Sequence, residues 1–193
     1  LTGFSPAQSY DSRVTAPQSM RATWHRLVAE VIEAATQDQD ARIVLKMNEL
    51  TDVELIKDLY RASQAGVPVD LIVRGQCRVR PGVPGISDTI RVRSIVDRFL
   101  EHDRVFYFQA GPNAHVYISS ADWQQSRLDE RVEAAVPVRN SALRERLVQH
   151  LNTALEPRPR TWALRPDGRY VRTHDGTHDQ SLQELLMQQY AAH

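Results

Sequence analysis

The sequence predicts an α/β domain, a sheet of about five strands covered by helices on both faces. An unbroken apolar run within Arg42–Asn48 lacks inside/outside alternation, as a strand buried on both faces does, and Val67–Val73 reads as a second buried strand. The segment between them is amphipathic at helical spacing, so strand, helix and strand form a βαβ unit with a right-handed crossover. A third observation is length: 193 residues hold one domain and a modest appendage.

Residues 1–16 are polar and mixed and read as a linker; Leu1 in place of Met gives the look of a cut inside a longer protein. Pro17 suits the first position of a helix, where a missing N–H costs nothing. Met20, Trp24, Leu27, Val28, Val31, Ile32 and Ala35 then mark one apolar stripe, fading at Gln37–Asp40. Thr51 and Glu54 form a capping box for the next helix, whose face is Leu55, Leu59 and Ala62, with Gly66 as its stop. Two prolines and two glycines make Arg80–Gly85 a loop. Asp88–Leu100 reads as a helix with Ile90, Ile95, Val96, Phe99 and Leu100 as its apolar side. Val105–Phe108 and His115–Ser119 read as adjacent strands joined by a turn at Ala110–Asn113, and Arg131–Val138 as a further strand. Asn140 caps a helix carrying Leu143, Leu147, Leu151 and Leu155. After Glu156–Pro159 a hairpin turns at Asp167-Gly168, and Ser181–Ala191 is a short helix. The expected division is a linker over 1–16, a main domain over 17–157 and a tail over 158–193.

Composition narrows the function classes. The 41% hydrophobic and 25% charged content is that of an ordinary globular protein, and no apolar run reaches the ~20 residues of a membrane span. Zero net charge argues against a general nucleic-acid binder. Cys77 stands alone, so a paired-thiolate zinc site is excluded and a reducing, cytoplasmic setting is expected. Lys46 and Lys57 are the only lysines; every other basic residue is arginine, whose planar fork suits phosphate. Seven arginines cluster between Arg74 and Arg104 against four acids.

Ligands of open α/β sheets meet the carboxyl ends of strands. Three such ends turn polar here, at Lys46-Met47-Asn48, Arg74-Gly75 and Ser120-Ala121-Asp122. Residues two apart share a strand face, which pairs Lys46 with Asn48 and Ser120 with Asp122. The competing reading is that strands become polar wherever they surface. His102 and Arg104 share the same spacing, and imidazole beside guanidinium suits phosphoryl chemistry. His25, His115, His150, His174, His178 and His193 read as packing or surface residues. The acids form no metal cluster, so a divalent ion is expected to arrive with a phosphate substrate. No Gly-x-x-x-x-Gly-Lys-Ser/Thr is present, which excludes a P-loop.

In several blocks the chain resembles the C-terminal catalytic domain of bacterial polyphosphate kinase of the histidine-phosphorylating type. The blocks are Lys46-Met-Asn-Glu-Leu-Thr-Asp, Leu71-Ile-Val-Arg-Gly-Gln-Cys, Ser94-Ile-Val-Asp-Arg-Phe-Leu-Glu-His-Asp-Arg and Ser119-Ser-Ala-Asp-Trp. The resemblance implies a phospholipase D-like mixed sheet in which two similar domains each supply half a site. Here the half would be His102-Asp103-Arg104 with Ser120-Ala121-Asp122. A preceding domain of the same polypeptide would hold the histidine that takes phosphate from ATP and passes it reversibly to polyphosphate. It further implies Arg74 and His102 as the nucleotide and phosphate contacts, with His102 as acid/base or electrostatic stabiliser. Joined to the strand-end reading, the expected catalytic residues are His102 and Arg104, and the expected phosphate contacts extend to Lys46, Asn48, Ser120 and Asp122. ATP or ADP with Mg2+, inorganic polyphosphate, a homo-oligomer and a cytoplasmic site, peripheral at the inner membrane, complete the expectation. One departure stands out: the family's Met-x-Arg-Asn after the tryptophan is Gln124-Gln125-Ser126-Arg127 here, which shifts the arginine by one position. Two alternatives remain open: a phosphodiesterase half-site completed in a homodimer, and a polyphosphate-binding module without chemistry.

Overall fold

The computed structural model describes residues 13–191. In chain order the elements are β1 (Val14–Ala16), α1 (Met20–Thr36), β2 (Ala41–Met47), α2 (Val53–Gln64), β3 (Val69–Val73), β4 (Ile90–Ile95) and β5 (Val105–Ala110). They continue with β6 (Asn113–Ser119), α3 (Gln125–Asp129), β7 (Glu133–Pro137), α4 (Ser141–Ala154), β8 (Thr161–Leu164), β9 (Tyr170–Arg172) and α5 (Leu182–Ala191). Among the described residues nine strands form one mixed sheet in the order β1-β7-β6-β5-β2-β3-β4-β8-β9, rather than the roughly five expected. β2, β3 and β4 are parallel neighbours, and the remaining pairings are antiparallel.

The sheet divides its side chains between two cores. Ile43, Leu45 and Met47 of β2, with Phe106 and Phe108 of β5, join Trp24, Leu27 and Val31 of α1 and Leu55 and Leu59 of α2. On the other face Val44, Ile72, Ile95, Val105 and Val116 meet Leu151 and Ala154 of α4 and Leu182 of α5. Trp24 centres the first core, edge-on to Phe106 and Tyr117 at 5.3 and 5.2 Å and stacked on Trp123 at 6.4 Å. Such pairs add ~0.5–1.5 kcal/mol each beyond area burial.

Several sequence expectations are corrected. Asp88–Leu100 is not a helix. Ile90, Val92 and Ser94 point to one face and Arg91 and Arg93 to the other, a period of two, and β4 ladders onto β3 in parallel register. Arg91 is tied across that ladder to Asp70, donating from Nε at 2.8 Å. Val96, Phe99 and Leu100, assigned to the helix's buried side, are exposed. Pro17 does not open α1; Ser19 occupies the N-cap position and the helix begins at Met20. Val14–Ala16 is an edge strand on β7 rather than linker, while residues 1–12 lie outside the described residues. Asp52, not Thr51, caps α2, accepting from Leu55 N at 3.0 Å; Glu54 pairs instead with Lys57. Asn140 does cap α4, through Leu143 N at 3.0 Å, yet the Leu143 side chain is exposed. The expected tail hairpin extends the main sheet, because β8 pairs with β4.

Candidate functional site

β2 and β3 run in parallel, and β6 regains their direction after the antiparallel β5. The carboxyl ends of β2, β3 and β6 therefore share one rim, where β5 also begins. Arg74 follows β3 and His102 precedes β5, one strand to each side of β2. With strands ~4.8 Å apart, their backbones are separated by about 10 Å.

Arg104 and Asp122 anchor this rim. The Arg104 guanidinium, 7% exposed, donates from Nε to Asp122 Oδ1 and from Nη2 to Oδ2, both at 2.9 Å. This planar two-point fork is the strong form of the pair. Asp122 Oδ1 also accepts the backbone N–H of Asn48 at 2.8 Å and of Glu49 at 3.2 Å. One buried carboxylate thus joins the end of β2 to the start of β5. The neighbouring Trp123 carbonyl accepts Thr51 N and Asp52 N at 2.9 and 2.8 Å, which ties the turn after β2 to the segment after β6.

His102 is exposed and lies against the other side of that guanidinium. Its Nε2 is 3.1 Å from Arg104 Nη2, its Nδ1 3.5 Å from Nη1, and its carbonyl accepts from Nη1 at 3.2 Å. Arginine has donors only, so the ring contact is a hydrogen bond when the facing nitrogen carries its lone pair. The His102, Arg104 and Asp122 side chains are thereby ordered in one line from solvent to interior.

Arg74 is exposed, and among the described residues its guanidinium has no hydrogen bond or ion pair. Gly75 makes its position possible: the Gly75 N–H reaches Asn48 O at 2.7 Å, and a Cβ there would sit 2.9 Å from that oxygen. Beside it the buried side-chain oxygen of Asn48 has no partner. Amide oxygen and nitrogen exchange by a flip, so the same group can present its N–H to a ligand.

Two other candidates lie apart from that line. Lys46, 4% exposed, shares the face of Val44 beneath α4 and α5 and is ion-paired there with Glu101 at 2.5 Å and Asp103 at 3.0 Å. Its Nζ is 3.4 Å from His150 Nε2. Burial, then the Lys46 charge, hold the His150 pKa below the ordinary imidazole value, against Asp103 and Glu101. The Lys46 contacts thus run to these acids rather than to Asn48. Ser120 turns toward β7, where its hydroxyl donates to Glu133 and accepts from Ala134 N at 3.1 Å. The chain leaves the strand at Ser119, so alternation does not carry Ser120 to the side of Asp122. Arg127 donates to the same Glu133 at 3.4 Å.

A cleft of about 350 Å3 on the α4/α5 side is lined by Lys46, Phe99, Glu101, His150, Leu186 and Tyr190. A smaller concavity, about 260 Å3 and bordered by His115 and Arg144, opens where β6 begins, at the opposite end of the strand. Neither is lined by Arg74 or His102. Sequence reasoning missed Glu101, His150 and Gln183, because their neighbours are 55 to 104 positions away in the chain.

Residues 13–184 match the model of the family described as polyphosphate kinase C-terminal domain 2. The polyphosphate kinase of Thermosynechococcus vestitus is 48% identical over 170 residues, 88% of this chain and 23% of that protein. That of Pseudomonas aeruginosa is 42% identical over 172 residues, 89% of this chain and 25% of the relative. The chain spans about a quarter of the length of the curated relatives it matches. Among solved structures, polyphosphate kinase from Porphyromonas gingivalis superposes with a TM-score of 0.91 at 32% identity, over 97% of this chain and 29% of that one. Nuc, a phospholipase D family member from Salmonella typhimurium, gives a TM-score of 0.52 at 20% identity, over 83% of this chain and 98% of that one. The second likeness concerns the fold alone, a phospholipase D-like mixed sheet. With family model, curated relatives and solved structure in agreement over most of its length, the chain belongs to the polyphosphate kinase family as C-terminal domain 2.

Proposed function

We propose that this domain forms one wall of a phosphoryl-transfer site that moves the terminal phosphate of ATP to inorganic polyphosphate and back. A preceding domain of the same polypeptide carries the phosphohistidine. The observation that carries the reading is the rim itself: a free Arg74 guanidinium and an exposed His102 backed by the Arg104–Asp122 pair.

Transfer through a loose, charge-spread transition state needs positioning and neutralisation of equatorial oxygens more than covalent chemistry. Arg74 can grip a phosphate by two N–H groups, and His102 can move a proton or donate a hydrogen bond at the transferring oxygen. Arg104 is turned inward, and its part is to hold the imidazole. Asp122, with Arg104 and two amides on its oxygens, anchors Arg104 and does not bind phosphate. The donor set does not suit a resident metal, since the rim's one buried carboxylate is fully engaged by these donors. Mg2+ therefore enters with the nucleotide as substrate. The enzyme is expected to act in the cytoplasm as a homo-oligomer.

In the longer polypeptide, His102→Ala should lower polyphosphate synthesis by about 10²–10⁴-fold, the range for a lost acid–base group. The 193-residue chain by itself should take up no phosphate from labelled ATP. Robust labelling of His102 in that chain would overturn the half-site reading. Hydrolysis of a phosphodiester by a homodimer would favour the phosphodiesterase instead.

A further inference from the structure

Residues 96–104, which deliver His102 to the rim, belong to no helix or strand. Side-chain anchors hold them. Val96 N donates to Arg160 O at 3.1 Å, and Asp97 pairs with the Arg160 guanidinium. Gln183, 6% exposed near the start of α5, accepts from Phe99 N at 2.8 Å. From Nε2 it donates to Phe99 O at 2.8 Å and to Glu101 Oε1 at 3.0 Å. The two residues flanking His102, Glu101 and Asp103, both end on Lys46 Nζ.

Alternation explains the consequence. In an extended segment Glu101 and Asp103 share one side, and His102 and Arg104 the other. A lysine 4% exposed requires counter-charge, because an unpaired buried ammonium costs several kcal/mol. The largely buried Glu101 carboxylate therefore cannot readily let go, the more exposed Asp103 adds a weaker second hold, and together they restrain the backbone on both sides of the imidazole. From the rim, Arg104 then holds the ring. His102 is set from two faces of the sheet at once.

We propose that Lys46 is a positioning residue for His102, acting through Glu101 and Asp103 with Gln183 as a brace, and does not contact phosphate. This rests on the reading of the rim as a phosphoryl-transfer site. Displacing a reacting group by ~1 Å can cost about 10²-fold in rate. In the longer polypeptide, Lys46→Met should therefore lower kcat by up to about 10²-fold with KM for ATP unchanged. In the isotopically labelled 193-residue chain the His102 Cε1–H resonance should shift or broaden, while the resonances of the Trp24 core stay in place. Gln183→Ala, which strands no charge, should give the same changes in smaller measure and decides the matter if Lys46→Met fails to fold. A His102 resonance unaltered in a folded variant overturns the proposal, as does a raised KM at constant kcat, the mark of a direct phosphate contact. If His102→Ala leaves synthesis intact, the functional reading fails, whereas the resonance measurement still tests the positioning by itself.

Discussion

Replacing Asp122 by Asn changes little in shape and much in charge. In the better of its two orientations the amide oxygen keeps the place of Oδ1, facing Arg104 Nε and the Asn48 and Glu49 N–H groups. The amide NH2 then faces Arg104 Nη2, donor against donor, where the carboxylate accepts at 2.9 Å. The lost charge-assisted bond accounts for about 1.5–3 kcal/mol, and weakening of the other three from charged to neutral adds about 1 kcal/mol. The expected loss is about 2.5–4 kcal/mol, toward the lower end of the ~3–5 kcal/mol of removing one partner of a buried pair outright. For a chain of this size each kcal/mol lowers Tm by about 2–4 °C, so Tm should fall by about 5–15 °C. Urea unfolding followed by far-UV circular dichroism, at unchanged m-value, measures the loss directly. A change within about 0.5 kcal/mol, the ordinary range of an uninvolved site, would refute the assignment of Asp122 as the anchor of the rim.

Gly75→Ala tests the close approach of β3's end to β2. The new Cβ would meet the Asn48 carbonyl oxygen at 2.9 Å, a backbone atom that cannot swing aside, so a loss of about 1–3 kcal/mol in urea unfolding is expected and, on the function proposed above, weakened polyphosphate binding. Unchanged stability and binding would show that the two strand ends move freely apart. His150 supplies a pH test. Burial and Lys46 depress its folded pKa while Asp103 and Glu101 oppose them, so below the ordinary imidazole pKa of about 6.5 the unfolded chain binds the proton first. Its contribution is thus complete above that pH and is lost as pH falls toward the folded pKa. His150→Gln should flatten the slope of stability against pH there; an unaltered slope would remove His150 from the account.

The sequence was most legible where one element could be judged by itself. β2, α2 and β3 follow from apolar-rich runs and a periodic helix face. β5 and β6 follow from a turn between aromatic-rich strands. β4 was misread because its alternation places Arg91 and Arg93 on a face that a single strand leaves unexplained. Asp70, which accepts the Arg91 guanidinium, lies on another strand, so the charge that makes such a β-strand tolerable is not visible locally. The same limit governs the rim. Polar strand ends marked its place, and the spacing of His102 and Arg104 their common side. The turning of Ser120 toward Glu133, and of Lys46 toward Glu101 and Asp103, depends on partners from other parts of the chain.

Among the described residues the two borders of the sheet are strands of only three residues, Val14–Ala16 and Tyr170–Arg172. Each leaves few backbone groups unpaired, so the domain offers scant purchase for a foreign strand. Trimming at the Pro157 break would undo this protection. The six-residue β4 would become the border on that side, with a longer open ladder, and the polypeptide would be prone to stick to copies of itself. The economical place to end an expression product is therefore after α5.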